Sequence, residues 1–160
     1  RHPHVYGGGE ANRDEEVKQN SEKIKLKENN KGVLSGVPAS LPPLVKAYRM
    51  QEKAAGVGFD WPHIDGVIQK IEEEIREFYD EVNQKNQKRA EEEFGDLLFS
   101  LVNYARFLGI NPDDALSNAN QKFRKRFVKM ESKISDRQIE MSQLDLDRWE
   151  KLWQEVKSEN

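Results

Sequence analysis

Four carboxylates stand in two pairs of helical spacing, Glu74 with Glu77 and Glu93 with Asp96. Each pair lies in an apolar-periodic stretch, Lys70-Ile71-Glu72-Glu73-Glu74-Ile75-Arg76-Glu77 and Glu91-Glu92-Glu93-Phe94-Gly95-Asp96-Leu97-Leu98. Residues three apart on a helix share one side of the cylinder, so two neighbouring helices would each present two acids. Converging carboxylates repel one another. A hard divalent cation, Mg²⁺ first among them, takes oxygen ligands and relieves that repulsion, and magnesium brings phosphate chemistry with it.

The distribution of charge extends the argument. Ten acids face four bases from Glu72 to Asp96, a balance of -6, whereas Lys122 to Arg137 holds seven bases and two acids, a balance of +5. Acids that hold a cation and bases that meet the remaining phosphate oxygens suit a metal-bound polyphosphate. The alternative from charge alone is a pair of solvated helix faces that neutralise each other.

These residues need helices to position them. Residues 1 to about 36 are polar, carry Gly7-Gly8-Gly9 and read as a linker with a helix around residues 14 to 28. Ser40-Leu41-Pro42-Pro43 predicts a helix start with the serine as cap, followed by Leu44, Ala47, Tyr48 and Ala55 on one face until Gly56 and Gly58. Phe59 and Trp61 in the next connection read as an aromatic staple between helices. A second helix, about Ile64 to Asn83, carries Val67, Ile71, Ile75, Phe78 and Val82 as its core stripe. At about 100° per residue Glu74 falls roughly 60° from Ile71, with Lys70, Glu77 and Glu81 on the same side. Glu73 and Asp80 point away from that stripe.

The third helix, about Gln87 to Leu108, is apolar around much of its circumference through Phe94, Leu97, Leu98, Phe99, Leu101, Val102, Ala105 and Leu108. That pattern predicts a helix buried among others, with Glu93, Asp96, Ser100 and Asn103 as a polar stripe and Asp96 inside it. Asn111-Pro112-Asp113-Asp114 opens a fourth helix to about Lys133, with Ala115, Ala119, Phe123, Phe127 and Met130 inward and Lys122, Arg126 and Lys129 on a strip suited to phosphate. A last helix, about Asp147 to Ser158, brings Trp149, Leu152, Trp153, Val156 and Lys157, and an indole beside a lysine can stack on a nucleobase.

Composition sets the limits. The chain has 160 residues, 36% hydrophobic and 34% charged, with a net charge of -3 and no cysteine. One domain and an appendage fit that length, disulfides and thiolate metal sites are excluded, and a general nucleic-acid binder is disfavoured. No run is long enough to span a bilayer and no apolar leader opens the chain, so the expectation is a cytoplasmic protein with no membrane partner. His2, His4 and His63 read as surface residues.

The strings Val57-Gly58-Phe59-Asp60-Trp61, Glu73-Glu74-Ile75-Arg76-Glu77, Glu92-Glu93-Phe94-Gly95-Asp96-Leu97-Leu98-Phe99, Asn103-Tyr104-Ala105-Arg106 and Ala119-Asn120-Gln121-Lys122-Phe123 through Arg126-Phe127 closely resemble the MazG nucleoside triphosphate pyrophosphohydrolases. The resemblance covers nearly all of residues 38 to 157. It is best to the C-terminal domain of tandem-domain MazG proteins, because Arg1-His2-Pro3-His4-Val5 resembles the end of the preceding domain. The division expected is thus 1–37 as a partly disordered linker and tail of that domain, and 38–160 as the catalytic domain.

The resemblance implies an all-α bundle of four to five helices completed by dimerisation, which hydrolyses the α-β phosphoanhydride bond of nucleoside triphosphates, ribo and deoxy, to monophosphate and pyrophosphate with Mg²⁺. By the same resemblance Glu74, Glu77, Glu93 and Asp96 are metal ligands and the catalytic set. Lys70, Lys122 and Arg126 correspond to positions near the phosphates, and Trp153 and Lys157 to positions near the nucleotide. A base-selective, dUTPase-like pyrophosphatase and a dimerisation or regulatory module of a larger protein remain the alternatives.

Overall fold

The computed structural model describes residues 32–159, and all regular structure among them is helical. The elements are α1 (Pro43–Gly56), α2 (Ile64–Asn83), α3 (Gln87–Phe107), α4 (Pro112–Asp136), a 3₁₀ turn at Met141–Gln143 and α5 (Leu146–Ser158). The helix expected around residues 14 to 28, and nearly all of the expected linker, lies outside the described residues.

Local chemistry accounts for most of the boundaries. The Asn86 side chain accepts from the Arg89 N–H at 3.2 Å and caps α3. Asn111 does the same for the Asp113 N–H at 3.0 Å, and Asp145 caps α5 by accepting from the Arg148 N–H at 2.9 Å. The start of α1 differs from expectation. Pro42 occupies the cap position with no side-chain cap bond and Pro43 opens the helix, because the fixed ring torsion of proline already suits the first turn and needs no serine.

Two compact units divide the chain after Asp113. In the first, α2 and α3 pack as a helical hairpin, and α1 packs on α3. Residues 84–86 join the hairpin, with Lys85 in the left-handed region at φ 59°. The rings of Phe78 and Phe94 meet across it with centroids 5.3 Å apart, and Val67, Ala90, Val102 and Phe107 are buried. The connection between α1 and α2 is pinned by Asp60, which accepts from Arg106 Nη2 at 2.5 Å and Nη1 at 3.2 Å, and also from the Trp61 N–H at 2.8 Å. Asn103 Oδ1 accepts from Arg106 Nε and Nη2, so the guanidinium is held on two sides.

The aromatic staple is only half present. Trp61 packs on Gly66, where an added Cβ would lie 2.8 Å from an indole carbon, while Phe59 is 83% exposed. Residues five apart thus make the contact, which leaves Phe59 without a wall.

The expected burial of the third helix also fails within a single chain. Phe94, Leu98, Phe99, Leu101 and Leu108 are exposed, because α1 and α2 cover only part of the circumference. Ile75 and Val82 of the expected α2 stripe are exposed as well.

The second unit has its own core of Met130, Ile134, Leu152 and Val156, against which Phe127, Ile139, Leu144, Trp149 and Trp153 pack. Phe127 lies nearly parallel to Trp149, with centroids 6.0 Å apart, and Phe123 meets Trp153 at 5.8 Å. Phe123 nevertheless stays largely exposed, as do Ala115 and Ala119, so the inward register of α4 begins only at Phe127. No helix among the described residues is long and apolar enough to cross a membrane.

Candidate active site

The hairpin brings three of the four carboxylates together. One oxygen from each of Glu74, Glu77 and Glu93 lies within 4.8 Å of the others. Glu74 is only 3% exposed, and Glu77 and Glu93 are half-buried. Glu74 Oε1 accepts from Lys70 Nζ at 2.8 Å, but Glu74 Oε2 and Glu93 Oε2 are closed to solvent and meet no donor. A buried acceptor without a partner costs about 1–3 kcal/mol, more when charged. Two such oxygens beside a third carboxylate fit a hard divalent cation, which would supply the missing positive charge without needing a proton.

Glu93 registers the strain electrostatically. Burial first, then the proton that its neutral form can donate to Glu74 and Glu77 and the repulsion of their charges, push its carboxyl from 4.5 up to about 7. Between those two values the folded chain binds a proton that the unfolded chain has released, so stability falls as pH rises through that window. The metal-free protein should accordingly melt at a lower temperature near pH 8 than near pH 5, and a divalent cation should recover the loss at the higher pH. Differential scanning calorimetry with and without chelator checks this, and a Glu93→Gln variant that kept the full pH dependence would contradict the assignment to Glu93.

Asp96 stands apart from this cluster. It is exposed, contrary to the expectation that it lies inside the polar stripe, because the leucines and phenylalanine that follow it are not all turned into the core of one chain. Glu81, one turn beyond Glu77, contributes another buried carboxylate oxygen without a donor, with Arg89 Nη1 3.9 Å from its other oxygen. Glu73 is exposed, as its position on the wheel requires. Lys70, expected near phosphate, pairs with Glu74 and lies 3.8 Å from Glu73, and the Glu74 hydrogen bond raises its ammonium pKa.

The remaining expected residues belong to the second unit. Lys122, Arg126 and Lys129 share one strip of α4, and among the described residues neither Lys122 nor Lys129 forms an ion pair. Lys133, farther along the helix, and Arg137, just past its end, are taken up by Glu155 and Glu159. The free part of the basic segment is therefore its first half. Arg126 lies over the Trp153 ring at 5.3 Å, and its Nε is buried without an acceptor. Lys157 is exposed in the last turn of α5.

A polar residue that sequence reasoning passed over lies in the first unit. Gln51 of α1 is 7% exposed and donates from Nε2 to the Phe99 carbonyl at 3.0 Å, while its Oε1 meets no donor. Its signal was a glutamine four residues after Ala47 on the apolar face of the first helix.

Residues 64–130 match the model of the MazG nucleotide pyrophosphohydrolase domain. The match begins with α2 and contains the whole carboxylate cluster and the strip of α4 as far as Met130. Among proteins similar to it, one from Escherichia coli K12, named nucleoside triphosphate pyrophosphohydrolase, is 42% identical over 98% of this chain and 62% of its own length. One from Thermotoga maritima, named nucleoside triphosphate pyrophosphohydrolase/pyrophosphatase MazG, is 41% identical over 98% of this chain and 60% of its own length. An uncharacterized Bacillus subtilis protein, YabN, is also 41% identical over 98% of this chain, which spans 33% of that protein. The chain thus spans about three fifths of the length of the first two relatives and a third of the last.

Proposed function

We propose that this chain is the catalytic part of a nucleoside triphosphate pyrophosphohydrolase that cleaves between the α and β phosphates. The observation that carries the proposal is the carboxylate cluster of α2 and α3, with its buried oxygens lacking donors. Glu74, Glu77 and Glu93, with Asp96 one turn beyond Glu93, would hold Mg²⁺. Bound there, the ion supplies a Lewis acid for phosphate oxygens and water.

The protein's own groups do the rest in this reading. Glu74 and Glu77 project from one rigid helix and Glu93 from its neighbour, so the acids are oriented before substrate arrives. Lys70, Lys122 and Arg126 neutralise charge that develops on the phosphates, and Trp153 with Lys157 contacts the nucleotide. The exposed apolar faces of α2 and α3 support a homodimer. The relatives' greater length supports a longer parent protein in which residues 1–37 include the tail of a preceding domain. A cytoplasmic nucleotide pool would supply the substrates.

The test is magnesium-dependent turnover of a panel of ribo- and deoxyribonucleoside triphosphates, with products separated. Monophosphate and pyrophosphate should appear, and chelation should stop their release. Purine and pyrimidine substrates should fall within about two orders of magnitude in kcat/KM. Orthophosphate as the product would overturn the proposal, and a preference of about four orders of magnitude for one base would favour the dUTPase-like alternative.

A further inference from the structure

A cavity of about 720 Å³ opens between α1, the 57–61 connection and α3, at one end of the same helix pair that carries the acids. Its walls are mostly apolar, with Met50, Phe59, Trp61 and Phe99 among them, yet Gln51, Asp60, Asn103 and Arg106 also line it. Apolar walls with a few placed polar groups are the usual make-up of a small-molecule site.

Three features of this cavity point to a flat ring bearing an N–H group. First, the Phe99 carbonyl can only accept, so the Gln51 amide nitrogen must face it and Oε1 is the end left without a donor. A buried acceptor of this kind calls for an explanation, and an arriving donor supplies one. Second, the Trp61 indole lies against Gly66 and the backbone N–H of Trp61 is held by Asp60, which Arg106 clamps, so the ring and the connection that carries it form a fixed wall. Third, Phe59 is exposed at the rim of the same cavity, where an aromatic side chain gains most by covering another ring.

Position supplies the identity of the ring. Along α3 the cavity residues Phe99 and Asn103 lie about 9 and 15 Å from Glu93 by helical rise, a span that a sugar and a short run of phosphates can bridge. We propose that this cavity takes the nucleobase of the substrate, stacked against Trp61 and Phe59, with one of its N–H groups donating to Gln51 Oε1. The inference rests on the pyrophosphohydrolase reading and adds a base-recognition site outside the Trp153 and Lys157 region. Every natural base carries an N–H on its outer edge, so one acceptor tunes preference among bases without restricting the enzyme to one.

Equilibrium binding by calorimetry separates this inference from the activity. Adenosine 5′-monophosphate should bind about tenfold more tightly than purine riboside 5′-monophosphate, whose six-membered ring carries no N–H donor. Gln51→Met should bring that ratio to about one, and Phe59→Ala, at an exposed position that cannot upset folding, should weaken both nucleotides while sparing ribose 5-phosphate. An unchanged ratio in Gln51→Met, or no loss of nucleotide binding in Phe59→Ala, overturns the base site, as does failure of either nucleotide to bind better than ribose 5-phosphate. Base discrimination without pyrophosphate release would sink the activity and leave the site standing. Pyrophosphate release without discrimination would do the reverse.

Discussion

Glu74→Gln is expected to lower pyrophosphate release by at least about two orders of magnitude while leaving the helical content unchanged. The substitution keeps the side chain's size and removes the charge at the most buried point of the carboxylate cluster. It also removes the negative charge that pairs with Lys70 at 2.8 Å, so the ammonium is left uncompensated beside the place where a cation is needed. Asp96→Asn should also lose most activity if the exposed carboxylate completes the ligand set. Glu73→Gln is the control, since its side chain is exposed and lies outside the cluster, and it should retain most of the wild-type kcat. Steady-state kinetics with circular dichroism on the three variants decides the matter, and a Glu74→Gln enzyme with near-normal kcat would remove the carboxylates from the mechanism.

Leu101→Glu should convert a dimer into a monomer. Phe94, Leu98, Leu101 and Leu108 recur at steps of four, three and seven along α3, and Ile75, Tyr79 and Val82 at steps of four and three along α2. Those steps keep each set on one face of its helix, and every one of these side chains is exposed in the isolated chain. Apolar stripes of this length on a hairpin that also binds its own α1 are the kind of surface a second copy covers. Leu101 is 43% exposed, so a glutamate there finds water in the monomer and meets a desolvated interface only in the dimer. Light scattering should give twice the chain mass of 18.6 kDa for the native protein and the single mass for the variant. A native protein that stays monomeric at micromolar concentration would contradict the assembly.

Much of the fold and the clustering of three carboxylates at the candidate site could be read before any coordinates. Glu74, Glu77 and Glu93 were legible because an α-helix has one geometry, and an acid about 60° from a core residue must end near the neighbour that the core residue packs against. The helix boundary at Asn111 was legible for a similar reason, since capping is local chemistry. Asp96 was misplaced because an apolar pattern says which faces avoid water without saying whether the same chain or a second copy covers them. Gln51 escaped notice because its meaning comes from Phe99, forty-eight residues away, and from a cavity that no periodicity reveals. The Asp60 and Arg106 pair was hidden in the same way. Both residues stood in recognised strings, but only the packing of the connection onto α3 joins them.

The three-residue turn at positions 84–86 has a consequence for how the centre is assembled. Glu74 and Glu93 lie on either side of it, so the acids meet through a short, local closure. Closing so short a loop costs the chain little entropy, and contacts close in sequence are those that helical proteins form fastest. The mutual repulsion of the carboxylates is thereby built into a rapidly formed hairpin, held by Phe78 against Phe94 near the turn. Their approach does not wait on the distant ends of the chain.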